Sequence, residues 1–186
     1  IRKVDESNRD STFAELQSAV FRLFGEHYER AWKITQNPLS LECRLTGNRI
    51  IFRGVNDDRQ REKVKSITFK KGKLTWIWII EATDLYEGDI DILDRLRGEL
   101  ENPNLYYQIT FTFNPVSATH FLKAKYFDVS HPDVLTHHST FEDNRFIDDG
   151  FRRRMEMRKL RDPDGYRVYG LGEWGETGGL VFNNWE

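Results

Sequence analysis

The sequence predicts an α/β fold with a mainly parallel sheet flanked by helices. From residue 73 onward, segments typical of strands alternate with segments typical of helices, an order that favours parallel strands joined by right-handed crossovers. The apolar run of residues 74–80, Leu-Thr-Trp-Ile-Trp-Ile-Ile, has the length of a strand and is typical of one buried on both faces. The run ends at a carboxylate, Glu81, and open α/β sheets bind their ligands at the carboxyl ends of strands.

Length and composition exclude several classes of protein. The chain has 186 residues, enough for a single domain with its own core, and we expect one domain over residues 1–186. Because 28 Lys and Arg stand against 30 Asp and Glu, any contact with nucleic acid must be a local patch. The single cysteine, Cys43, excludes an intrachain disulfide and a zinc site made of cysteines. No run approaches the roughly 18 apolar residues of a membrane span, so we expect a soluble intracellular protein without membrane contact.

The first 72 residues predict one helix and a small β region. Residues 1–4 are expected to pair at the edge of a sheet. Apolar residues spaced three and four apart from Phe13 predict a helix that ends at Gly25, with this face in the core. Three short strands are predicted at residues 32–35, 39–45 and 49–52, which form a β insertion within residues 30–55. The charged run that follows, residues 56–65, is expected to be a surface excursion.

The second half of the chain predicts three helices and two further strands. The predicted helices lie at residues 87–97, 118–127 and 147–160. The predicted strands lie at residues 106–113 and 134–138. The first is closed by Asn114-Pro115, since the residue before a proline is driven out of helical geometry.

Polar residues follow directly after three predicted strands, at Glu81-Ala82-Thr83, Thr112-Phe113-Asn114 and Ser139-Thr140. In a parallel sheet these ends line one crevice. A carboxylate there can orient a water for attack on a γ-phosphate, while a hydroxyl or amide on the neighbouring strand responds to that phosphate. The alternative stays open that polar residues end strands only because strands end at surfaces.

Seven segments in one order carry a resemblance to a known family. They are Phe52-Arg53-Gly54, Lys65-Ser66-Ile67, Trp78-Ile79-Ile80-Glu81-Ala82-Thr83, Leu96-Arg97-Gly98, Thr112-Phe113-Asn114-Pro115-Val116-Ser117, Ser139-Thr140-Phe141-Glu142-Asp143-Asn144 and Tyr169-Gly170-Leu171-Gly172-Glu173-Trp174-Gly175. Together they resemble the ATPase domain of the large terminase subunit of tailed bacteriophages, in the branch found in prophages. The resemblance implies a P-loop ATPase of the additional-strand, catalytic-glutamate type that drives double-stranded DNA into the procapsid.

The same resemblance implies cofactors, partners and a location. ATP and Mg²⁺ are expected in the intact protein, and none is expected bound to this fragment. The implied partners are double-stranded phage DNA, the portal protein and the small terminase subunit. The resemblance also implies a ring oligomer during packaging, in the cytoplasm of the host cell.

The family's site residues carry over onto two stretches. Residues 74–80 resemble the Walker B strand and Glu81 the catalytic glutamate, while Thr112 to Asn114 resemble the coupling motif that senses the γ-phosphate. The chain departs from the family twice: Ile80 stands where the family has a metal-holding acid, and the phosphate-binding Gly-x-x-x-x-Gly-Lys-Ser/Thr loop is missing. We therefore expect a domain incomplete at its amino end, without the nuclease domain, whose isolated chain does not hydrolyse ATP.

Other charged residues are weaker candidates. Arg53 and Arg97 each precede a glycine and either could act on its own or a neighbour's nucleotide, although a structural ion pair is the alternative for each. A DNA backbone could be met by Arg152, Arg153 and Arg154 with Arg158, Lys159 and Arg161; the alternative is a solvated helix face balanced by Glu156, Asp148 and Asp149. A metal site at His131, His137 and His138 is disfavoured, because adjacent residues on a strand point to opposite faces.

A second function stays open. Ile80 and the missing phosphate loop also fit a degenerate P-loop-like domain that serves as a non-catalytic assembly or interaction module.

Overall fold

The computed structural model describes residues 1–69, 71–90, 96 and 98–176. The chain divides into two compact units, Ile1–Thr112 and Phe113–Glu186. The sequence predicts one domain, and because compact units can be lobes of a single domain, that prediction stays a prediction.

The first unit begins with a 3₁₀ turn (Glu6–Asn8) and a π-helical turn (Arg9–Phe13), which lead directly into helix α1 (Ala14–Phe24). It ends at Gly25, whose φ of +55° is a left-handed conformation that glycine adopts without steric cost, as the sequence predicts. Phe13 and Val20 are buried, but Leu23 is exposed. The prediction of a continuous core face is therefore wrong at Leu23 and at Phe24, which is also exposed, because the buried cluster packs against the beginning of the helix.

A three-stranded antiparallel meander follows the short helix α2 (Tyr28–Ala31). Its strands are β1 (Trp32–Gln36), β2 (Leu39–Cys43) and β3 (Arg49–Ile51), paired in that order. The three predicted strands are confirmed. Leu41 at the centre of β2 is buried in one cluster with Phe13 and Phe52.

The charged excursion after the meander contains helix α3 (Asp58–Lys65), which the sequence reading missed. Asp57 caps this helix, since its Oδ1 accepts from the backbone N–H of Gln60 at 2.7 Å. The cap fixes the start of a helix whose composition alone is typical of a solvated loop.

Strands β4 (Trp76–Ile80) and β5 (Gln108–Thr112) pair in parallel, with Ile80 opposite Thr112. The predicted parallel sheet is confirmed for this pair. Ile1 pairs with the other side of β4: its N–H donates to the Trp78 carbonyl at 2.6 Å, and its own carbonyl accepts from Ile80 N at 2.9 Å. Because Arg2 also bridges Gly54, residues 1–3 lie between two segments and are not at a sheet edge.

Burial of β4 differs from the prediction. Ile77 and Ile79 are buried, but Trp76 is 62% and Trp78 48% exposed, so the strand buries one face. The two tryptophans on the exposed face have local contacts there. The Trp76 ring lies 5.9 Å from the ring of Tyr106, and Trp78 Nε1 donates to the Thr112 hydroxyl at 3.0 Å. A run of apolar letters that contains tryptophans therefore does not require burial on both faces.

The segment after β4 forms a 3₁₀ turn (Ala82–Asp84) and helix α4 (Glu87–Ile90). The helix predicted at residues 87–97 is confirmed over this first turn. Residues 91–95 and 97 lie outside the described part of the chain.

The second unit contains helices α5 (Phe121–Tyr126), α6 (Asp149–Arg161) and α7 (Pro163–Tyr169). The first two confirm predicted helices, α5 in shortened form. Helix α7 is not among the predicted helices. Asp162 caps it and Pro163 occupies its first turn, where a missing N–H costs nothing.

The third predicted strand, residues 134–138, is wrong. This segment is irregular and pairs with no strand in the described part of the chain, and Leu135 is 93% exposed. Its end is held instead by a hydrogen bond of 2.7 Å between His138 Nε2 and the Leu171 carbonyl. Thr140 accordingly ends no strand: it caps a 3₁₀ turn (Phe141–Asp143).

Within the described residues, no helix is long and apolar enough to cross a membrane.

Candidate functional site

The backbone at the end of β4 is held in an unusual conformation. Glu81 has φ 56° and ψ 52°, which makes it the one non-glycine residue with a positive φ in the described part of the chain. Its carbonyl accepts from Asp84 N at 2.9 Å, and this bond starts the 3₁₀ turn. A glutamate in this region costs free energy that the surrounding packing must supply.

That packing is visible on both sides of Glu81. Ile79 is buried on the strand before it, and Ala82 and Leu85 are buried in the turn after it. Glu81 as a whole residue is half-buried, so it is neither enclosed in the core nor fully exposed at the surface. A polar residue that merely ended a strand at a surface would not need this conformation, which favours a positioned carboxylate.

Thr112 lies at the same sheet edge as Glu81. It stands opposite Ile80, the residue before Glu81, in the parallel register. Its hydroxyl accepts from Trp78 Nε1 at 3.0 Å and donates to the Ile79 carbonyl at 3.4 Å. The structure thus brings together two of the three predicted strand ends; the third, Ser139-Thr140, is not a strand end, and Asn114 belongs to the second unit.

Sequence reasoning missed a buried carboxylate eight residues beyond Glu81. The side chain of Asp89 is 1% exposed and forms ion pairs with Lys3 Nζ at 2.6 Å and Arg61 Nη1 at 2.7 Å. It also accepts from the backbone N–H of Tyr86 at 2.9 Å. The sequence marks Asp89 only weakly as a buried residue, since an acid in the first turn of a helix is ordinarily interpreted as a solvent-exposed residue that stabilises the helix end.

Burial alone raises the pKa of the Asp89 carboxyl, but hydrogen bonds from Lys3, the Tyr86 backbone and Arg61 outweigh it and hold the pKa below its usual value. Asp89 is therefore ionised at neutral pH. It joins the segment after Glu81 to residues 1–3 and to α3.

The arginines predicted to contact nucleotide or DNA are not among the residues described around Glu81. Arg53 Nη1 donates to the Phe52 carbonyl at 2.7 Å, and Arg53 lines a groove of about 820 Å³ whose described lining does not include Glu81. Arg97 is not among the described residues. Arg152, Arg153 and Arg154 are exposed on α6 in the second unit.

The histidines do not form a metal centre in the part of the chain that the structure describes, which holds no cluster of three potential metal ligands. His131 Nδ1 accepts from Asp133 N at 3.1 Å, and His138 contacts the Leu171 carbonyl.

The comparison that decides the family is a match over nearly the whole chain. The family model for the phage terminase large subunit matches residues 1–173. The chain belongs to this family. The terminase chain is 32% identical over 189 residues to the large terminase subunit of Bacillus phage SPP1, covering 99% of this chain and 43% of that protein. It is 28% identical over 206 residues to the PBSX phage terminase large subunit of Bacillus subtilis (strain 168), covering 100% of this chain and 44% of that protein.

Solved structures share the fold. The large terminase of the thermophilic bacteriophage D6E matches with a TM-score of 0.74 at 18% identity, over 100% of this terminase chain and 42% of that one. The same D6E protein in complex with ADP matches with a TM-score of 0.66 at 17% identity, over 93% of this chain and 39% of that one. The terminase chain thus spans less than half the length of the relatives it matches. PBSX and SPP1 relatives are consistent with the prophage-type branch.

Proposed function

We propose that this chain is part of the ATPase motor that packages phage DNA, a P-loop ATPase of the additional-strand, catalytic-glutamate type. In this proposal β4 is the Walker B strand and Glu81 the catalytic base. The observation that carries it is the left-handed backbone of Glu81 at the carboxyl end of a parallel strand, because strain of this kind clusters at functional sites. The family match over residues 1–173 supports the reading.

The chemistry follows from where the side chains lie. In this proposal the carboxylate of the half-buried residue Glu81 holds a water by hydrogen bonding and takes its proton during attack on a phosphoryl group. The Thr112 hydroxyl, held by Trp78 Nε1 and the Ile79 carbonyl, is fixed at the neighbouring strand end. We assign to Thr112, with Asn114, the sensing of the γ-phosphate.

The described residues fit only part of an ATP–Mg²⁺ site. Glu81 would offer the one carboxylate at this strand end, but the hydrocarbon side chain of Ile80 cannot hold the metal, and these 186 residues contain no phosphate-binding loop. When bound, ATP would supply the transferred phosphoryl group and Mg²⁺ would neutralise its negative charge. The proposal therefore places the phosphate cradle outside this sequence, in an intact protein that binds ATP, while this chain alone binds none.

The partners of the motor are proposals of the same kind. We assign double-stranded DNA as substrate, the portal protein and the small terminase subunit as partners, and a ring oligomer in the host cytoplasm as the working state. Arg53 and Arg97 remain proposed as arginines that act on nucleotide. The D6E relative was solved in complex with ADP and with ATP-gamma-S, which supports a nucleotide site in this fold.

The test is Glu81→Gln in the full-length protein. Because glutamine keeps the size but cannot accept the proton of the water, we expect the ATP turnover number to fall roughly 10²- to 10⁴-fold, with binding of ATP retained. Asp84→Asn is the matched control, since Asp84 is an exposed carboxylate three residues further along whose own hydrogen bond to Glu81 comes from its backbone. Equal loss in both variants, or none in Glu81→Gln, would remove Glu81 from the catalytic role.

Ile80 favours one alternative to the ATPase function, in which the domain is a non-catalytic assembly or interaction module. The two functions separate in the full-length protein: absence of Mg²⁺-dependent ATP turnover in the wild type would favour the module. If the protein is active, Ile80→Asp tests the position. Unchanged turnover in that variant would show that residue 80 is not where the metal is held.

A further inference from the structure

Helix α6 carries a shallow, widely open groove lined by arginines in the second unit. The groove has a volume of about 500 Å³, and its lining includes Arg153, Arg154, Arg158 and Arg161 together with Gly150 and Met157. Arg153, Arg154 and Arg161 are exposed. We call this surface, defined by Arg153, Arg154, Arg158 and Arg161, the arginine groove.

The acids of α6 approach only one arginine of the groove. At about 100° of rotation per residue, Asp149 and Glu156 lie a third of a turn or more from the middle of the groove. They are the helical neighbours of Arg153, four residues before it and three after it, but neither forms an ion pair with Arg153 in the described part of the chain. Asp148 is also occupied, because its Oδ1 accepts from Phe151 N as the helix cap. The expectation that these three acids balance the arginines therefore holds for net charge and near Arg153, but not around Arg154 and Arg161.

One acid does line the groove. Asp162 Oδ2 pairs with Arg158 Nε at 3.1 Å, and its Oδ1 accepts from Gly165 N at 2.9 Å as the cap of α7. Arg158 also stacks on the ring of Tyr169, 4.6 Å from its centroid. Asp162 and Arg158 thus neutralise each other, which leaves Arg153, Arg154 and Arg161 without a carboxylate partner among residues 113–176.

We propose that the arginine groove binds the phosphate backbone of duplex DNA. The inference rests on the proposed function for the choice of duplex DNA, and on the structure for the surface. Arg154 and Arg161 stand about 10 Å apart along the helix axis, and duplex DNA presents one negative charge per roughly 1.7 Å, so the groove meets several phosphates at once. Guanidinium groups donate two hydrogen bonds to one phosphate, and the groove offers few other polar groups that could read a base.

The surface also corrects the earlier set of candidates. From the sequence, Arg152, Arg153 and Arg154 are candidates for DNA contact together with Arg158, Lys159 and Arg161. Arg152 lies on the opposite side of α6, about 180° from the middle of the arginine groove, whereas Arg161 joins the groove two turns after Arg154. Duplex binding is thus assigned to Arg153, Arg154 and Arg161.

The experiment measures binding of the 186-residue chain to a short duplex of random sequence without nucleotide, over a range of salt concentrations. Arg153→Gln/Arg161→Gln removes two charges from the groove. Each phosphate contact contributes about 0.9 to the slope of log K against log[salt], so we expect this variant to lose about 2 from the slope and to bind at least roughly tenfold more weakly at low salt. Wild-type binding should not depend on duplex sequence.

The control is Arg152→Gln/Arg22→Gln, which removes the same charge from an exposed residue on another side of α6 and one on α1. Its slope and affinity should stay at the wild-type values. Equal losses in the two variants would overturn the proposal in favour of an effect of net charge, and so would a wild-type chain that does not bind the duplex at low salt. Displacement of the duplex by polyglutamate at equal charge concentration, as efficient as by unlabelled duplex, would assign the groove to acidic protein partners.

Circular dichroism and thermal melting of each variant exclude loss of fold as the cause. Because this measurement uses no ATP, its failure would leave the proposed role of Glu81 standing. An inactive full-length enzyme would equally leave a positive binding result intact.

Discussion

The backbone conformation of Glu81 distinguishes it from other acids at strand ends, which its residue type alone does not. A non-glycine residue in the left-handed region costs about 1–2 kcal/mol, and the free energy is recovered from the buried side chains on either side of it. From the sequence, the carboxylate could be placed at a strand end, but not distinguished from any acid that ends a strand at a surface. Backbone strain is set by tertiary packing, which no local pattern of residues reveals.

Because Glu81 has a left-handed backbone, we expect the glycine variant at position 81 to be more stable than the alanine variant, the reverse of the usual order in a helix. Glu81→Gly should be more stable than Glu81→Ala by up to about 1 kcal/mol, because glycine avoids the left-handed penalty although its unfolded state is more flexible. The measurement is the free energy of unfolding in urea. At Glu156, exposed in α6, the same pair should show the ordinary order, with glycine less stable than alanine by about 1 kcal/mol. The same order at both positions would contradict a left-handed Glu81.

At the scale of elements, Asp89 connects segments that are far apart in the sequence. Its carboxylate joins α4 to residues 1–3 through Lys3 and to α3 through Arg61. Lys3 Nζ also lies 4.5 Å from the ring centroid of Tyr86, within the segment that follows Glu81. The segment after the candidate catalytic residue is thus anchored to two other parts of the first unit.

Loss of this anchor should be costly. Asp89→Asn leaves two cations without their carboxylate at a largely buried site, so we expect the free energy of unfolding at pH 7 to fall by about 3 kcal/mol. Because the folded pKa of Asp89 is lowered, its contribution is present above the unfolded pKa of about 3.9 and is lost as pH falls through the lower folded pKa. Wild type should therefore lose stability below about pH 4 more steeply than Asp89→Asn, as urea unfolding across that range would show.

Asp58→Asn is the matched control for this experiment. Asp58 pairs with the same arginine at 2.5 Å, but its side chain is 95% exposed and water screens the pair. We expect a far smaller change in stability. A loss as large as that of Asp89→Asn would show that the Arg61 pair matters irrespective of burial.

Element prediction succeeded where local signals agreed with tertiary structure. Strands β1 to β3, the parallel pair β4 and β5, and helices α1 and α6 follow from periodicity and turn residues. Residues 134–138 failed because a strand needs a partner as well as β-branched residues, and helix α7 was missed because Asp162 and Pro163 are as typical of a turn as of a helix start. Burial of β4 failed because tryptophan counts as apolar in a pattern even where it packs at a surface.

At the scale of the whole molecule, the family was recoverable from the order of seven short motifs, while the site was recoverable in part. Glu81 and Thr112 could be placed at one sheet edge, because parallel strands end together. Asp89 could not, since its partners Lys3 and Arg61 are far away in sequence and nothing local marks them. Long-range ion pairs of this kind depend on the assembled fold.

The relation of this chain to the longer relatives leads to the last prediction. Phosphoryl transfer depends almost entirely on positioning and electrostatic stabilisation, and this sequence supplies a base at Glu81 but no phosphate-binding loop and no acid at position 80. We therefore expect the purified 186-residue chain with ATP and Mg²⁺ to release phosphate at the rate of the buffer alone. The Glu81→Gln form of the same chain is the control, since a contaminating ATPase would be equally active in both preparations. Turnover in the wild-type chain that disappears in Glu81→Gln would instead show that these residues suffice for hydrolysis, and that the phosphates are bound by a segment of this chain that its sequence does not mark.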